Sequence, residues 1–234
     1  MTISPHSGPT VVLVHGAWAD GSSWRRVIPL LLRRGISVVA VQNPTTSLAD
    51  DVAVTRRMLE TVDGPIVLVG HSWGGAVITE AGNDPKVKAL VYVAAFAPKA
   101  GETVGDLVNA HAAPPALACV GDDGNGFLRI STEGWVYDVG QDLPEDETRV
   151  LAVLQPPLAA STFKDKITKA AWEARPSWYV VSTEDRVVSV ELERKFAAAM
   201  QAKTTELKAS HLSLLSMPEA VADVIIDAVQ AVAG

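Results

Sequence analysis

Chemistry concentrates where the apolar run Ile66-Val67-Leu68-Val69 ends in Gly70-His71-Ser72-Trp73-Gly74-Gly75. G-x-S-x-G between a strand and a helix lifts the serine onto a sharp turn, its hydroxyl exposed at the positive end of the helix that follows. The glycines are a steric demand, because side chains there would collide with the tightly folded strand and helix. In a chain with 17 Gly the bare pattern is weak, and a Gly-rich connection carrying an incidental serine is the bland alternative. The strand-turn-helix setting gives it weight. A serine hydroxyl is a poor nucleophile without a base, and acyl transfer needs donors for the oxyanion. Both requirements make demands elsewhere in the chain.

On a doubly wound sheet the chain order of such a triad is serine, acid, histidine. Of five histidines, His6 lies near the start, His111 in an irregular stretch, and His15 and His71 flank Gly turns. His211 follows a late strand and precedes the last helix, where the base must be. The run Ser177–Val181 ends in Ser182-Thr183-Glu184-Asp185-Arg186, so the acid belongs here. Asp185 is preferred and Glu184 is its rival, since spacing alone does not say which points inward. The acid would hold the histidine tautomer and stabilise the imidazolium. The backbone N–H of Trp73, after the nucleophile, is one expected oxyanion donor. The other comes from the loop after the first strand, Val14-His15-Gly16-Ala17-Trp18, with the Ala17 N–H as candidate.

The elements needed to position these groups are legible. Thr10–Val14, Ile36–Val41, Ile66–Val69, Ala89–Val93, Ser177–Val181 and Thr204–Leu207 read as strands. Between them, the Trp24–Leu32 stretch, Leu48–Val62, Gly74–Ala81 and Val190–Met200 read as helices. A closing helix starts at Pro218, with Ser216 as its expected cap and Glu219 completing a capping box. Runs apolar on both faces, alternating with helices, predict a parallel sheet covered on both sides. The beat breaks between about Pro98 and Trp172, too long a stretch for a loop. The expected division is therefore a core over 1–97, an insertion over 98–172 and a second core part over 173–234.

A net charge of −7 argues against nucleic acid or an anionic membrane as partner. The single Cys119 excludes an internal disulfide framework and multi-thiolate zinc sites. The opening residues carry no charged-then-apolar signal, and no run reaches the ~18 residues that cross a bilayer. A soluble, cytoplasmic location is the expectation. The insertion's Phe127, Leu128, Trp135 and Leu158, with Trp18, Trp73, Phe96 and Leu212, are candidates to line a substrate pocket. No evident Arg clamp accompanies them, which suggests a small or medium apolar ester.

Leu13-Val-His-Gly-Ala-Trp18, Gly70-His-Ser-Trp-Gly-Gly75, Thr183-Glu-Asp-Arg186 and Ser210-His-Leu212 running into Pro218-Glu-Ala-Val resemble the α/β-hydrolase superfamily. Within it the chain looks most similar to small capped esterases grouped with plant methylesterases and hydroxynitrile lyases. The resemblance implies an α/β fold with an inserted helical lid, and a triad of Ser72, Asp185 and His211. It implies no metal and no organic cofactor, with a monomer or homodimer as the assembly. The lyases of this group carry Thr where this chain has Gly16 and Lys where it has Leu212, so both positions favour hydrolysis. A lyase on the same triad and a triad-bearing small-molecule receptor remain the alternatives.

Overall fold

The structure, a computed structural model, describes residues 8–233; His6 lies outside them. Six strands form one sheet: β1 (Thr10–Val14), β2 (Val38–Ala40), β3 (Ile66–His71), β4 (Val87–Val93), β8 (Ser177–Ser182) and β9 (Lys203–Leu207). Their order is β2-β1-β3-β4-β8-β9, and every neighbouring pair is parallel. Residues of β1 and β3 such as Val12, Val14, Leu68 and Val69 are wholly shielded from solvent. That is the burial a sheet covered on both faces imposes, and it is why the strands read as continuous apolar runs.

Helices α2 (Leu48–Glu60), α3 (Trp73–Ala81) and α7 (Val190–Ala199) cover one face, packing Leu59, Ile78 and Phe196 against Tyr92 and Tyr179. The other face is covered by α1 (Ile28–Arg33), α8 (Ser213–Ser216) and α9 (Pro218–Ala233), whose Leu31, Leu214 and Ile225 join Trp24 and Trp178. Local sequence sets the ends. Ser47 caps α2 by accepting from the Asp50 N–H at 3.0 Å, and Gly35 leaves α1 with φ +72°. The Trp24 stretch is a 3-10 turn over Gly21–Trp24 rather than the start of α1. Ser216 does not cap α9. It closes the separate turn α8, its hydroxyl directed back at the Leu212 carbonyl, and the Met217 carbonyl receives the Val221 N–H instead.

Between β4 and β8 the chain builds α4 (Val104–Asn109), a small antiparallel sheet, and two helices over the C-terminal edge of the main sheet. The small sheet has the order β5 (Val120–Asp122), β6 (Phe127–Ile130), β7 (Leu158–Ala159). The single turn α5 (Thr132–Gly134) runs into a π-helical turn, Trp135–Val139, and α6 (Glu145–Leu154) follows. The covering segment is therefore mixed, not purely helical. Its β7 end is tied down by buried bonds: the Ala159 N–H donates to the Thr45 carbonyl at 3.0 Å and the Thr45 hydroxyl to Pro157 at 2.9 Å. Gln155, at the end of α6, brackets Ile130 with two bonds, at 2.9 and 2.8 Å. The first turn of α6 is held differently, by Glu147 pairing with Arg25 and Arg26 at 2.5 and 2.7 Å on the surface. Among the described residues no helix is long and apolar enough to cross a membrane.

Candidate active site

Ser72 sits on the turn from β3 to α3 with φ 53° and ψ −121°, a conformation costly to a residue with a Cβ. Close packing holds it there. A Cβ on Gly70 would stand 2.6 Å from the Gly74 carbonyl, and one on Gly74 would stand 2.6 Å from the carbonyls of Val14 and His15. The Ser72 carbonyl accepts the Gly75 and Phe96 N–H groups at 3.0 and 3.1 Å, and its own N–H donates to Val93. The loop after β1 presses on the elbow from the side, since a Cβ on Gly16 would lie 2.8 Å from the Ser72 Cβ.

His211 follows β9 and is buried, its Nδ1 2.6 Å from Asp185 Oδ2. The turn after β8 prepares the acid. Asp185 Oδ1 accepts the N–H groups of Val187 and Val188 at 2.7 and 2.9 Å, leaving Oδ2 aimed at the imidazole. Glu184 points the other way, half-exposed and 3.7 Å from Lys208. The geometry thus separates the two carboxylates that spacing left open. His71 supports the same loop: its Nε2–H donates to the His211 carbonyl at 2.9 Å, and the two rings lie 4.6 Å apart. Burial, with the neighbouring His211, pushes the His71 pKa well below its ordinary value and keeps that ring neutral. His15 is also held neutral by burial; its Nε2 accepts the Asn43 N–H and its Nδ1–H donates to Gly16, bracing the loop before Ala17.

Ser72 and His211 share the wall of a small cavity of about 20 Å³, with Ala17, Trp18, Trp135 and Leu212 among its other lining residues. That is room for about one water molecule. A second cavity of about 30 Å³ adjoins it, shares Trp18, Trp135 and Leu212, and reaches Leu151 and Leu154 of α6. No Lys or Arg lines either. The Trp73 N–H opens α3, where the first amides have no partner within the helix. Ala17 is among the residues that line the chamber; Trp73 is not, although it directly follows Ser72, which is.

Several pocket candidates lie elsewhere. The Trp73 side chain is turned into the opposite core, its indole N–H donating to Asp51 Oδ2 at 2.7 Å, and Phe96 packs in that core too. Phe127, on the outer face of β6, does not line the cavity, because alternation gives that role to Ile130. Leu128 packs beside Ile130 without lining the cavity, its carbonyl accepting the Trp18 indole N–H at 2.8 Å, and Leu158 is wholly buried in β7. Val139 and Val187 line the cavity without having been singled out. Asp51 and Glu193, both fully buried acids, were also missed. A signal existed for Glu193: it falls on the same helical stripe as Phe196, Ala197 and Met200.

The parallel sheet, the covering segment between β4 and β8, and a strained serine turn that shares a cavity wall with a late histidine make up one known architecture. The chain matches the alpha/beta hydrolase family over residues 11–224, and it belongs to that family. It is similar to a pyrethroid hydrolase of Sphingobium wenxiniae, 28% identical over 93% of this chain and 86% of that one. Methylesterase 2 of Arabidopsis thaliana is 26% identical, with 78% and 81% covered. Among solved structures, a pyrethroid hydrolase from Sphingobium faniae superposes with a TM-score of 0.82 at 24% identity, covering 95% of this chain and 98% of that one. That last likeness bears on the fold.

Proposed function

We propose that the protein is a serine esterase that cleaves small or medium apolar carboxylic esters through an acyl-enzyme. The observation that carries this reading is the 2.6 Å contact of Asp185 with His211, on a cavity wall that also holds Ser72 in its strained turn. Asp185 keeps the proton on His211 Nδ1, so Nε2 is free to accept a proton from Ser72. As Ser72 Oγ attacks the ester carbonyl, the Ala17 and Trp73 amides receive the oxyanion and His211 then protonates the departing alcohol. Water attacks the acyl-enzyme by the same steps and restores the serine. Residues 98–172 act as the lid of this site, over a core made of 1–97 and 173–234.

The relatives named as esterases support ester cleavage in general, and the lining supports an apolar substrate. Hydrolysis is favoured over cyanohydrin cleavage because the residue after His211 is Leu212, an apolar wall with no cation for a departing cyanide. A chamber that holds about one water does not hold an ester, so substrate admission requires Trp18, Trp135 or Leu212 to move. The test is labelling with a fluorophosphonate probe and mapping of the modified residue, together with p-nitrophenyl butyrate turnover of Ser72→Ala. Modification at Ser72 and loss of turnover are expected. A label elsewhere, or turnover retained by the variant, overturns the reading.

A further inference from the structure

Behind the acid-histidine pair lies a second acid that the mechanism above does not use. Glu193, on α7, is wholly shielded from solvent, and its Oε2 accepts the Ser182 N–H at 3.1 Å. Its Oε1 is buried with no hydrogen-bond partner among the described residues, and the Ser182 that Oε2 holds also accepts the Asp185 N–H on its carbonyl, which sets the two acids side by side at the end of β8. Two carboxylates in contact inside a protein do not both ionise, and the proton goes to the one with less to hold its charge. Asp185 has three donors, the Val187 and Val188 amides and the His211 Nδ1–H. Glu193 has one. Burial and the neighbouring Asp185 accordingly hold the Glu193 carboxyl well above its ordinary pKa.

We propose that Glu193 is a positioning residue of the triad, its Oε1–H donating a hydrogen bond to Asp185 so that the buried pair carries a single negative charge facing His211. This rests on the serine-esterase reading for its catalytic meaning but not for its geometry. Of the other groups around Glu193, only Arg194 favours its charged form, and it does so weakly. Tyr179 on β8 is itself buried and neutral, and the Arg194 guanidinium beside it is turned outward to Glu206 of β9 at 2.8 Å. The donated hydrogen bond spreads the charge of Asp185 and fixes its carboxylate plane, so that His211 is held in register without being made too strong a base.

The experiment is an NMR titration of His211 in the full chain, assigned by comparison with His211→Gln, alongside the pH profile of kcat/KM. Glu193→Leu removes the donor at similar volume. It is expected to raise the His211 midpoint by about half a pH unit or more, because Asp185 is left with more concentrated charge. Its kcat falls by about tenfold as the acid loses its anchor, with KM held within twofold. Glu193→Gln restores a donor without a charge and returns the midpoint to that of the parent. Two results overturn the proposal. One is a Glu193→Leu enzyme with the parental midpoint and kcat, which marks a packing role only. The other is a Glu193→Gln midpoint about one unit lower, which means that Glu193 is ionised in the parent. Should Glu193→Leu fail to fold, the Glu193→Gln titration decides alone. Turnover surviving Ser72→Ala defeats the esterase reading and leaves the titration a valid test of the carboxyl pair.

Discussion

Exchanging Asp185 for Asn is a one-atom change whose outcome the local hydrogen bonds dictate. Two amides, Val187 and Val188, both donate to Oδ1, so the asparagine must place its carbonyl oxygen there. Its NH₂ then occupies the position of Oδ2, 2.6 Å from His211 Nδ1. Two donors cannot face each other at that distance. The imidazole must accept on Nδ1 and carry its proton on Nε2, which leaves no lone pair for the serine proton. A triad in the wrong tautomer loses about 10³–10⁴ in kcat. At 1.36 kcal/mol per tenfold, that is about 4–5.5 kcal/mol of transition-state stabilisation. Folding should change little, because the bonds to Val187, Val188 and His211 persist in number. Asp185→Ala differs here, since it orphans two buried amides at about 1–3 kcal/mol each and lowers the melting temperature as well. The assay is p-nitrophenyl butyrate turnover at pH 8 with thermal unfolding in parallel, and Glu184→Gln as control. Glu184 faces Lys208 at the surface, so its variant should keep kcat within about twofold. A folded Asp185→Asn enzyme with more than a tenth of parental kcat would refute the assignment, as would a Glu184→Gln enzyme that is the crippled one.

Replacing Ser72 with Gly relieves the backbone at φ 53° and should be more stable than Ser72→Ala by about 1 kcal/mol, a few degrees of melting temperature, with both inactive; equal melting would show that the turn stores no strain. Asp51, whose pKa is raised by burial from 3.8 to about 6, gains a proton on folding as the pH falls. The parent should therefore gain stability between about pH 6 and pH 4, on the order of 3 kcal/mol at most, while Asp51→Asn does not. Denaturant unfolding at pH 7, 5 and 4 reads this, and parallel curves would contradict it. Trp135 lines both cavities, so Trp135→Ala, which would join them, should raise the octanoate-to-acetate ratio of kcat/KM by about tenfold. Its stability cost should sit at the low end of about 3–5 kcal/mol, because the buried indole N–H that goes with it has no partner among the described residues. An unchanged ratio would place the acyl chain elsewhere.

The sheet and the elbow were readable because their demands are local and stereochemical. A strand buried on both faces must be apolar throughout, and a serine turn wedged against β1 must have glycines beside it. His211 drew attention because a doubly wound hydrolase places its histidine after the last strand, and the structure sets this one beside Asp185. The choice between Glu184 and Asp185 was not local: it depends on a turn in which Asp185 captures the amides of Val187 and Val188. The pocket was the least legible part. Its walls come from a small sheet whose facing set by alternation puts Ile130 inside and Phe127 outside, and four-residue strands give too little periodicity to fix that register. Trp73 misled for a related reason, since a side chain beside the nucleophile can be spent on the far side of the sheet, here on Asp51. Ser216 looked like a cap because nothing in the sequence separates α8 from α9 beforehand.

The two attachments of α6 have unequal sensitivity to dissolved ions. At one end Gln155 grips the Ile130 backbone in a buried, uncharged embrace that electrolyte does not reach. At the other, Glu147 clasps two arginines that are partly open to solvent, an attachment on the order of 1 kcal/mol or less that counterions weaken. A helix anchored so asymmetrically is expected to part first from Arg25 and Arg26, with Gln155 as the fixed end. Leu151 lies between the two anchors and lines the outer cavity, so raised salt is expected to loosen that wall while leaving the reacting groups untouched.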